Sequence, residues 1–524
     1  MKNTTRWLLC ISAAIVAALP WWGAPGFLLL ICFVPLLIVE RSVREEGGGV
    51  LSVLPYSFVF FLCWNLITTW WIARIHIAGG MSVIIINSAI MCTVFLLYTW
   101  IREYTGRGAV ILVILWLGFE FIHHRGDLSW PWLSLGNGLA SNINLIQWYE
   151  YTGVTGGSLW VLSVNALIFN VVRHYRVSRD LRTQYMRIIV LFAVIILPAG
   201  FSLNILNSYA GNTRGAGFLI LQTGLDPYNE KYNKISNSQR LDDLLDLAEK
   251  NMREGVRYIV SPETSVDSIM ISGNGDELQK KVYDFIGKHP GTGFILGATT
   301  FEPVTEANRT IVTRRDADGN YFNVFNSALF FFQDTILIAY NKFYLANGVE
   351  QIPFQRIFNL PRGLSIDLGG ISGSLKKGDG PVVVVSPLDS MAIGPLICFE
   401  SAYGEYSASK VRLGAEIFII ITNDGWFRDT GAYIQHLRLS RIRAVETRRS
   451  VVRSANYGIS CYISPTGEVK EQLGWKDEGA LYAEANTNSV MTFYASSGDF
   501  IGRTALFFSI LLIVNMLVRR KMPD

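Results

Sequence analysis

Charge is scarce in this chain. Only 17% of its 524 residues are Asp, Glu, Lys or Arg, and half are hydrophobic, whereas an ordinary soluble domain is about one quarter charged. A chain that is water-soluble throughout is therefore excluded. The shortfall is uneven. Residues 1 to about 205 are mostly long apolar runs, while 212–490 has the composition of a soluble domain long enough to bury its own core. Histidine and cysteine are also few, at six each. Cys10, Cys32, Cys63 and Cys92 fall inside apolar runs and read as small buried hydrophobes. Cys398 and Cys461 lie in the polar segment with no C-x-x-C pair and no clustered histidines, so no metal site is expected. A disulfide between those two stays open. The net charge of +4 forms no basic surface interleaved with aromatics, and nucleic acid is not an expected partner.

The apolar runs are long enough to cross a bilayer, which takes about 20 helical residues. Eight spans are expected, at about 7–22, 25–40, 51–73, 81–101, 108–123, 158–173, 187–206 and 503–518. Lys2 and Arg6 before the first apolar core resemble a signal peptide, but the second span follows almost at once, and the first is read as retained. Basic residues gather in alternate loops: Lys2 and Arg6, Arg41 and Arg44, Arg102 and Arg107, then Arg173, Arg176, Arg179, Arg182 and Arg187, and the tail Arg519, Arg520, Lys521. Only Arg74 and Arg125 occupy the opposite loops. By the positive-inside rule both termini are cytoplasmic and 212–490 is extracytoplasmic. The expected division is 1–211 with seven spans, 212–490 as a polar domain, and 491–524 with the last span and basic tail.

The outer loop at 124–157 is long and carries Trp130, Pro131 and Trp132. Such aromatics serve as interfacial anchors or, on the same side as the polar domain, as a lipid-facing wall below a site.

In the polar domain, short apolar runs alternate with amphipathic ones. Strands are expected at 217–222, 258–260, 294–296, two within 327–340, 392–398, 415–422, 451–454, 458–464 and 480–485. Helices are expected near 237–254, 277–288, 402–413 and 430–448, giving a layered α/β domain. Three strands end beside one reactive group each: YIVSPE at Glu263, IAYNK at Lys342 and IGPLIC at Cys398, followed by Phe399 and Glu400. Singly these are commonplace, since an acid after a strand is usually a cap and a lone cysteine is usually core. Strand ends nevertheless aim side chains into one crevice, and a thiol, an amine and a carboxylate together carry nucleophilic acyl chemistry.

That order resembles the nitrilase, or carbon–nitrogen hydrolase, superfamily, whose sites use Glu, Lys and Cys in this sequence. The resemblance extends through Asn423-Asp424-Gly425-Trp426-Phe427, Gln435-His436, Arg441, Ala444, Glu446 and Arg449, and Arg453 to Ser460. With the eight spans and the Trp-Pro-Trp loop, nearly the whole chain resembles the apolipoprotein N-acyltransferase family. The Pro-Phe-Gly-Glu step of that family is here Leu345-Ala346-Asn347-Gly348-Val349-Glu350, with the glycine displaced by one and no proline. Its Lys-Trp pair is Lys231-Tyr232, and its Cys-Tyr-Glu is Cys398-Phe399-Glu400.

The resemblance implies an αββα sandwich on a transmembrane helical bundle, in the bacterial cytoplasmic (inner) membrane. It implies Glu263, Lys342 and Cys398 as catalytic, with Glu350, Phe399 and Glu400 supporting them. Trp426, Tyr232, Trp130 and Trp132 are the expected substrate contacts; Phe354 and Phe358 are further candidates for an acyl cleft. Glu263 would take the Cys398 proton, Lys342 and the Phe399 N–H would hold the oxyanion, and Glu350 would hold Lys342. The implied partners are a membrane phospholipid as acyl donor, a diacylated apolipoprotein as acceptor, and the bilayer; no cofactor is implied, and a monomer is expected. Two other readings stay open: a membrane-tethered amidase or nitrilase using the same triad, and a non-catalytic scaffold.

Overall fold

Strands β1 (Gly215–Gln222) and β10 (Ile417–Thr422) show how sequence becomes layers. Along β1, Phe218 and Ile220 face one apolar cluster, while Leu219 and Leu221 face another, the two-residue alternation of a strand buried on both sides. The first cluster joins Phe218, Ile220, Val260 and Ile295 to Ile393, Ile417, Ile419 and Val452, side chains drawn from two sheets. The second joins Leu219, Leu221 and Ile259 to Leu241, Leu244, Val282 and Phe285 on the helices Asn237–Asn251 and Glu277–Lys288.

The chain is described by a computed structural model over residues 1–105, 108–180, 182–211, 214–228, 235–270, 276–333, 335–354 and 375–521. It divides into two compact units, Ala210–Ser496, and Met1–Tyr209 with Ser497–Asp524. Tyr232, Phe358, Lys231 and Arg107 lie outside the described residues.

In Ala210–Ser496 one sheet has eight strands. Its order is β14 (Gly479–Asn486), β1, β2 (Val256–Val260), β4 (Gly293–Val304), β6 (Tyr321–Phe332) and β5 (Arg314–Arg315). The strands β3 (Val266–Met270) and β7 (Thr335–Asn341) pair with β4 and β6. The other sheet has six, in the order β13 (Val469–Gln472), β12 (Cys461–Ile463), β11 (Ser450–Ala455), β10, β9 (Ala392–Ile397) and β8 (Val384–Val385). The strands β9, β10 and β11 run parallel, with Ile421 of β10 opposite Ile397 of β9. Consequently Cys398 and Thr422, each at or just past a strand end, emerge side by side. The helices Gly404–Arg412 and Ala432–Thr447 contact this second sheet, and the unit is an αββα sandwich.

The other unit is helical. Seven described segments are long and apolar enough to cross a membrane: Asn3–Trp22, Gly26–Glu45, Val50–Thr69, Ile77–Thr105, Tyr149–Ser178, Arg182–Ser208 and Phe500–Arg520. The fifth expected span is the apolar helix Val110–His123, of 14 residues, about 21 Å long at 1.5 Å per residue. It stops where the apolar run meets His123, His124 and Arg125. Backbone breaks inside this unit are satisfied by side chains, as a non-aqueous surrounding demands. Asn165 accepts from the Phe33 N–H at 2.8 Å and donates to the Leu29 carbonyl at 2.8 Å, where the second span changes from 3-10 to α-helix. Glu120 accepts from Trp116 at 3.1 Å and from the Leu135 N–H at 2.9 Å, which anchors the loop that follows its helix.

Candidate active site

Glu263 follows β2 by three residues, on a turn that lies against β4. The Ser265 N–H donates to the Gly297 carbonyl at 2.9 Å, and the Gly297 N–H donates to Ser261 Oγ at 3.0 Å. A methyl group on Gly297 would stand 2.0 Å from the Pro262 carbonyl oxygen and 2.9 Å from the Glu263 Cα, so only glycine lets β4 approach this closely. Glu263 is 4% exposed. Its Oε1 accepts from Asn326 Nδ2 at 2.7 Å and Lys342 Nζ at 3.0 Å, and its Oε2 accepts from the Asn423 N–H at 3.0 Å.

Lys342 follows β7 directly, its own N–H bonded to the Asn326 carbonyl of β6 at 2.8 Å. The ammonium is 2% exposed and sits between two carboxylates, 3.0 Å from Glu263 and 2.9 Å from Glu350 Oε2. Burial opposes its charge, but Glu263 and Glu350 overcome that and hold its pKa well above the ordinary lysine value. Glu350 is in turn fixed by Asn326 Nδ2 at 2.9 Å and the Ala346 N–H at 2.7 Å. The displaced glycine of this loop still makes a turn. Gly348 has φ 86°, and its N–H bonds the Gln351 carbonyl at 2.8 Å.

Cys398 opens the short 3-10 turn Cys398–Ala402 with φ 51°, a left-handed conformation that a side chain disfavours and that clusters at functional sites. Its thiol is free. Burial raises the thiol pKa well above the ordinary range; Glu263 adds to the rise and Lys342 opposes it. The three expected groups are thus brought together, with the thiol neutral at rest.

Glu400 holds this turn from behind. Its carboxylate accepts from the Ile397 N–H at 2.8 Å, the Phe343 N–H at 2.7 Å and the Tyr340 hydroxyl at 2.7 Å. It therefore ties the strand ending at Cys398 to the strand ending at Lys342. Lys410 lies behind it, 3.8 Å from the centre of the Tyr340 ring. Burial outweighs the attraction between the pair, raising the Glu400 carboxyl and lowering the Lys410 amine to about 7. Phe399 is half-buried, its ring edge-on to Tyr403 at 5.4 Å.

Trp426 is half-buried, packs edge-on to Tyr228 at 5.6 Å and lies against Val324, Leu345 and Leu375. Phe354, with φ 57°, is half-buried. Trp130 and Trp132 belong to the helical unit, where they stack on each other at 5.8 Å and pack against Trp71. Trp132 is buried, and its carbonyl accepts from Trp21 at 3.3 Å.

Several residues of the site were not singled out from sequence for a role. Asn326, which bonds both glutamates, sits with Ser327 as the polar pair inside the apolar strand β6, and that interruption was the available signal. In the network behind Cys398, Asp424, His436 and Arg453 gave none beyond their place in the family resemblance, and Ser401 gave none at all.

A sequence model of the carbon–nitrogen hydrolase family matches residues 227–493. The chain belongs to that family. A second model, the apolipoprotein N-acyltransferase N-terminal domain, matches residues 12–167. Relatives similar over nearly the full length include the apolipoprotein N-acyltransferase of Chlorobaculum tepidum, 24% identical over 513 residues, which cover 96% of this chain and 94% of that protein. That of Geobacter metallireducens is 24% identical over 521 residues, covering 94% and 92%. Among solved structures, a Saccharomyces cerevisiae member of branch 10 of the nitrilase superfamily is 15% identical, covers 52% of this chain and 91% of its own, and has a TM-score of 0.37. Within this family member, Glu263, Lys342 and Cys398 occupy the strand ends of the matched α/β unit.

Proposed function

We propose that this chain transfers an acyl chain from a membrane phospholipid, through a thioester on Cys398, to the N-terminal amine of a diacylglyceryl-cysteine apolipoprotein during lipoprotein maturation. One observation carries the reading: a buried ammonium clamped by two carboxylates, within electrostatic reach of the free Cys398 thiol, in a chain that also matches the N-terminal domain of apolipoprotein N-acyltransferases.

Glu263 accepts the Cys398 proton as the sulfur attacks the ester carbonyl. Lys342 and the Phe399 N–H stabilise the oxyanion, and loss of one such donor costs about 10²–10³ in rate. Collapse expels the lysophospholipid alkoxide, which takes the proton from Glu263 and leaves the thioester. The lipoprotein amine then attacks that thioester and gives its proton to Glu263. The amide forms and the departing thiolate recovers the proton. Glu350 keeps Lys342 in place and charged. Trp426 and Trp130 are the proposed lipid-contacting aromatics, with Trp132 supporting the outer loop from within.

The distribution of basic residues supports placing the catalytic unit on the periplasmic side of the bacterial cytoplasmic membrane, where a site handling two membrane-bound substrates gains proximity. A single chain supplies every residue used, consistent with a monomer. Purified protein incubated with phospholipid and a synthetic diacylated lipopeptide tests the reading by mass spectrometry. A gain of one acyl chain on the peptide is expected. Free fatty acid with an unchanged peptide would instead indicate a hydrolase.

A further inference from the structure

His436 lies behind the nucleophile, wholly buried on the helix Ala432–Thr447. Its Nε2 is 3.1 Å from the Cys398 carbonyl oxygen and 3.0 Å from Ser401 Oγ, and the Ser401 hydroxyl donates to the same carbonyl at 2.8 Å. Its Nδ1 is 2.7 Å from Asp424 Oδ1. Asp424 is held in turn by Arg453 at 2.7 Å and by the Thr422 hydroxyl at 3.0 Å. Burial works against the Asp424 charge, yet Arg453 and His436 bring its pKa down to about 2, so this carboxylate only accepts. A carbonyl oxygen also only accepts. Nε2, facing the Cys398 carbonyl, is therefore read as an N–H donor, while Nδ1 lies against Asp424 Oδ1 and 3.3 Å from Arg453 Nη2.

We infer that His436 is a positioning residue of the oxyanion site: by pinning the Cys398 carbonyl, it aims the N–H of Phe399 at the reacting oxygen. The Cys398 carbonyl and the Phe399 N–H belong to one planar trans peptide and point in opposite directions. Donors that fix the oxygen therefore fix the hydrogen. They also polarise the unit, which strengthens the N–H as a donor. Such a clamp is needed because Cys398 sits at φ 51°, from which an unrestrained peptide relaxes. Asp424 sets the direction of the ring, and Ser401 is the second clamp on the same oxygen.

The inference rests on the acyl-transfer reading, and two reactions of one thiol separate their failures. Acylation of Cys398 by phospholipid passes through an oxyanion. Alkylation by iodoacetamide, in which sulfur displaces iodide, does not. In full-length protein, His436→Phe should slow phospholipid acylation by about 10²–10³ while alkylation of Cys398 continues at the wild-type rate. His436→Gln, which keeps an N–H donor, should recover about tenfold of the loss, and Ser401→Ala should slow acylation by about tenfold alone. An acyl adduct forming at the wild-type rate in His436→Phe overturns the inference. So does parallel loss of acylation and alkylation in His436→Gln and Ser401→Ala. Absence of any adduct on the wild type would overturn the acyl-transfer reading itself.

Discussion

The Lys342 ammonium stands 3.0 Å from Glu263 Oε1, with both side chains almost wholly withdrawn from solvent. Glu350 closes the other side. The lysine is thus the neutralising centre of a buried −/+/− array, and its removal strands two carboxylates beside each other. Lys342→Met should destabilise the fold by about 3–5 kcal/mol and slow acylation at least 10²-fold, read by thermal melting and single-turnover acylation. The lysine pKa is raised in the folded state. Its contribution to stability is therefore complete below the unfolded value of about 10.4 and fades only as pH climbs through the higher folded value. Melting temperature should show no Lys342-dependent decline between pH 6 and pH 10.

Gly297 offers a test remote from the chemistry. An added methyl would collide with the Pro262 carbonyl and the Glu263 backbone. Gly297→Ala should cost about 1–3 kcal/mol of stability. By shifting Glu263 it should lower the acylation rate by about 100-fold, although residue 297 touches no substrate. Wild-type kinetics in this variant would show that the Glu263 turn tolerates displacement.

Glu400 differs from Glu263 and Glu350 in that it accepts backbone N–H groups of both Ile397 and Phe343. In Glu400→Gln an amide must turn its NH₂ toward one of those donors. A loss of about 1–3 kcal/mol is expected, with slower acylation and unchanged alkylation-site identity. Glu400→Asp, too short to span both strands, should not rescue it. Denaturant titration together with acylation kinetics checks both.

The Cys398 thiol is held above the usual thiol range by burial and by Glu263. At neutral pH it is therefore protonated, and its thiolate fraction grows with pH beyond the point where a free cysteine, with a pKa near 8.5, levels off. Iodoacetamide labelling of Cys398 should climb steadily from pH 7 to pH 10. A plateau by pH 9 would mean that the thiol is activated at rest rather than during attack.

Much of this was legible in the sequence because strands announce their ends. Glu263, Lys342 and Cys398 each follow a short apolar run, and the parallel register of β9 and β10 sets Cys398 beside Thr422 without any further signal. The strand Val266–Met270 was missed because its apolar residues, Val266, Ile269 and Met270, do not alternate regularly. The fifth span was expected by hydropathy, which registers apolar character better than helix length. Least legible were residues that act on backbone rather than substrate. His436 meets Cys398 across a sequence separation of 38, and Tyr340 meets Glu400 across one of 60; no local pattern encodes either contact.

The most direct measurement is the intact mass of the purified protein after exposure to phospholipid in the absence of any acceptor. Wild type should gain the mass of one acyl chain, mapped by proteolysis to Cys398 and released by hydroxylamine as a thioester is. Cys398→Ala should gain nothing. An unmodified wild type, or an adduct that survives in Cys398→Ala, would contradict a thioester at this residue.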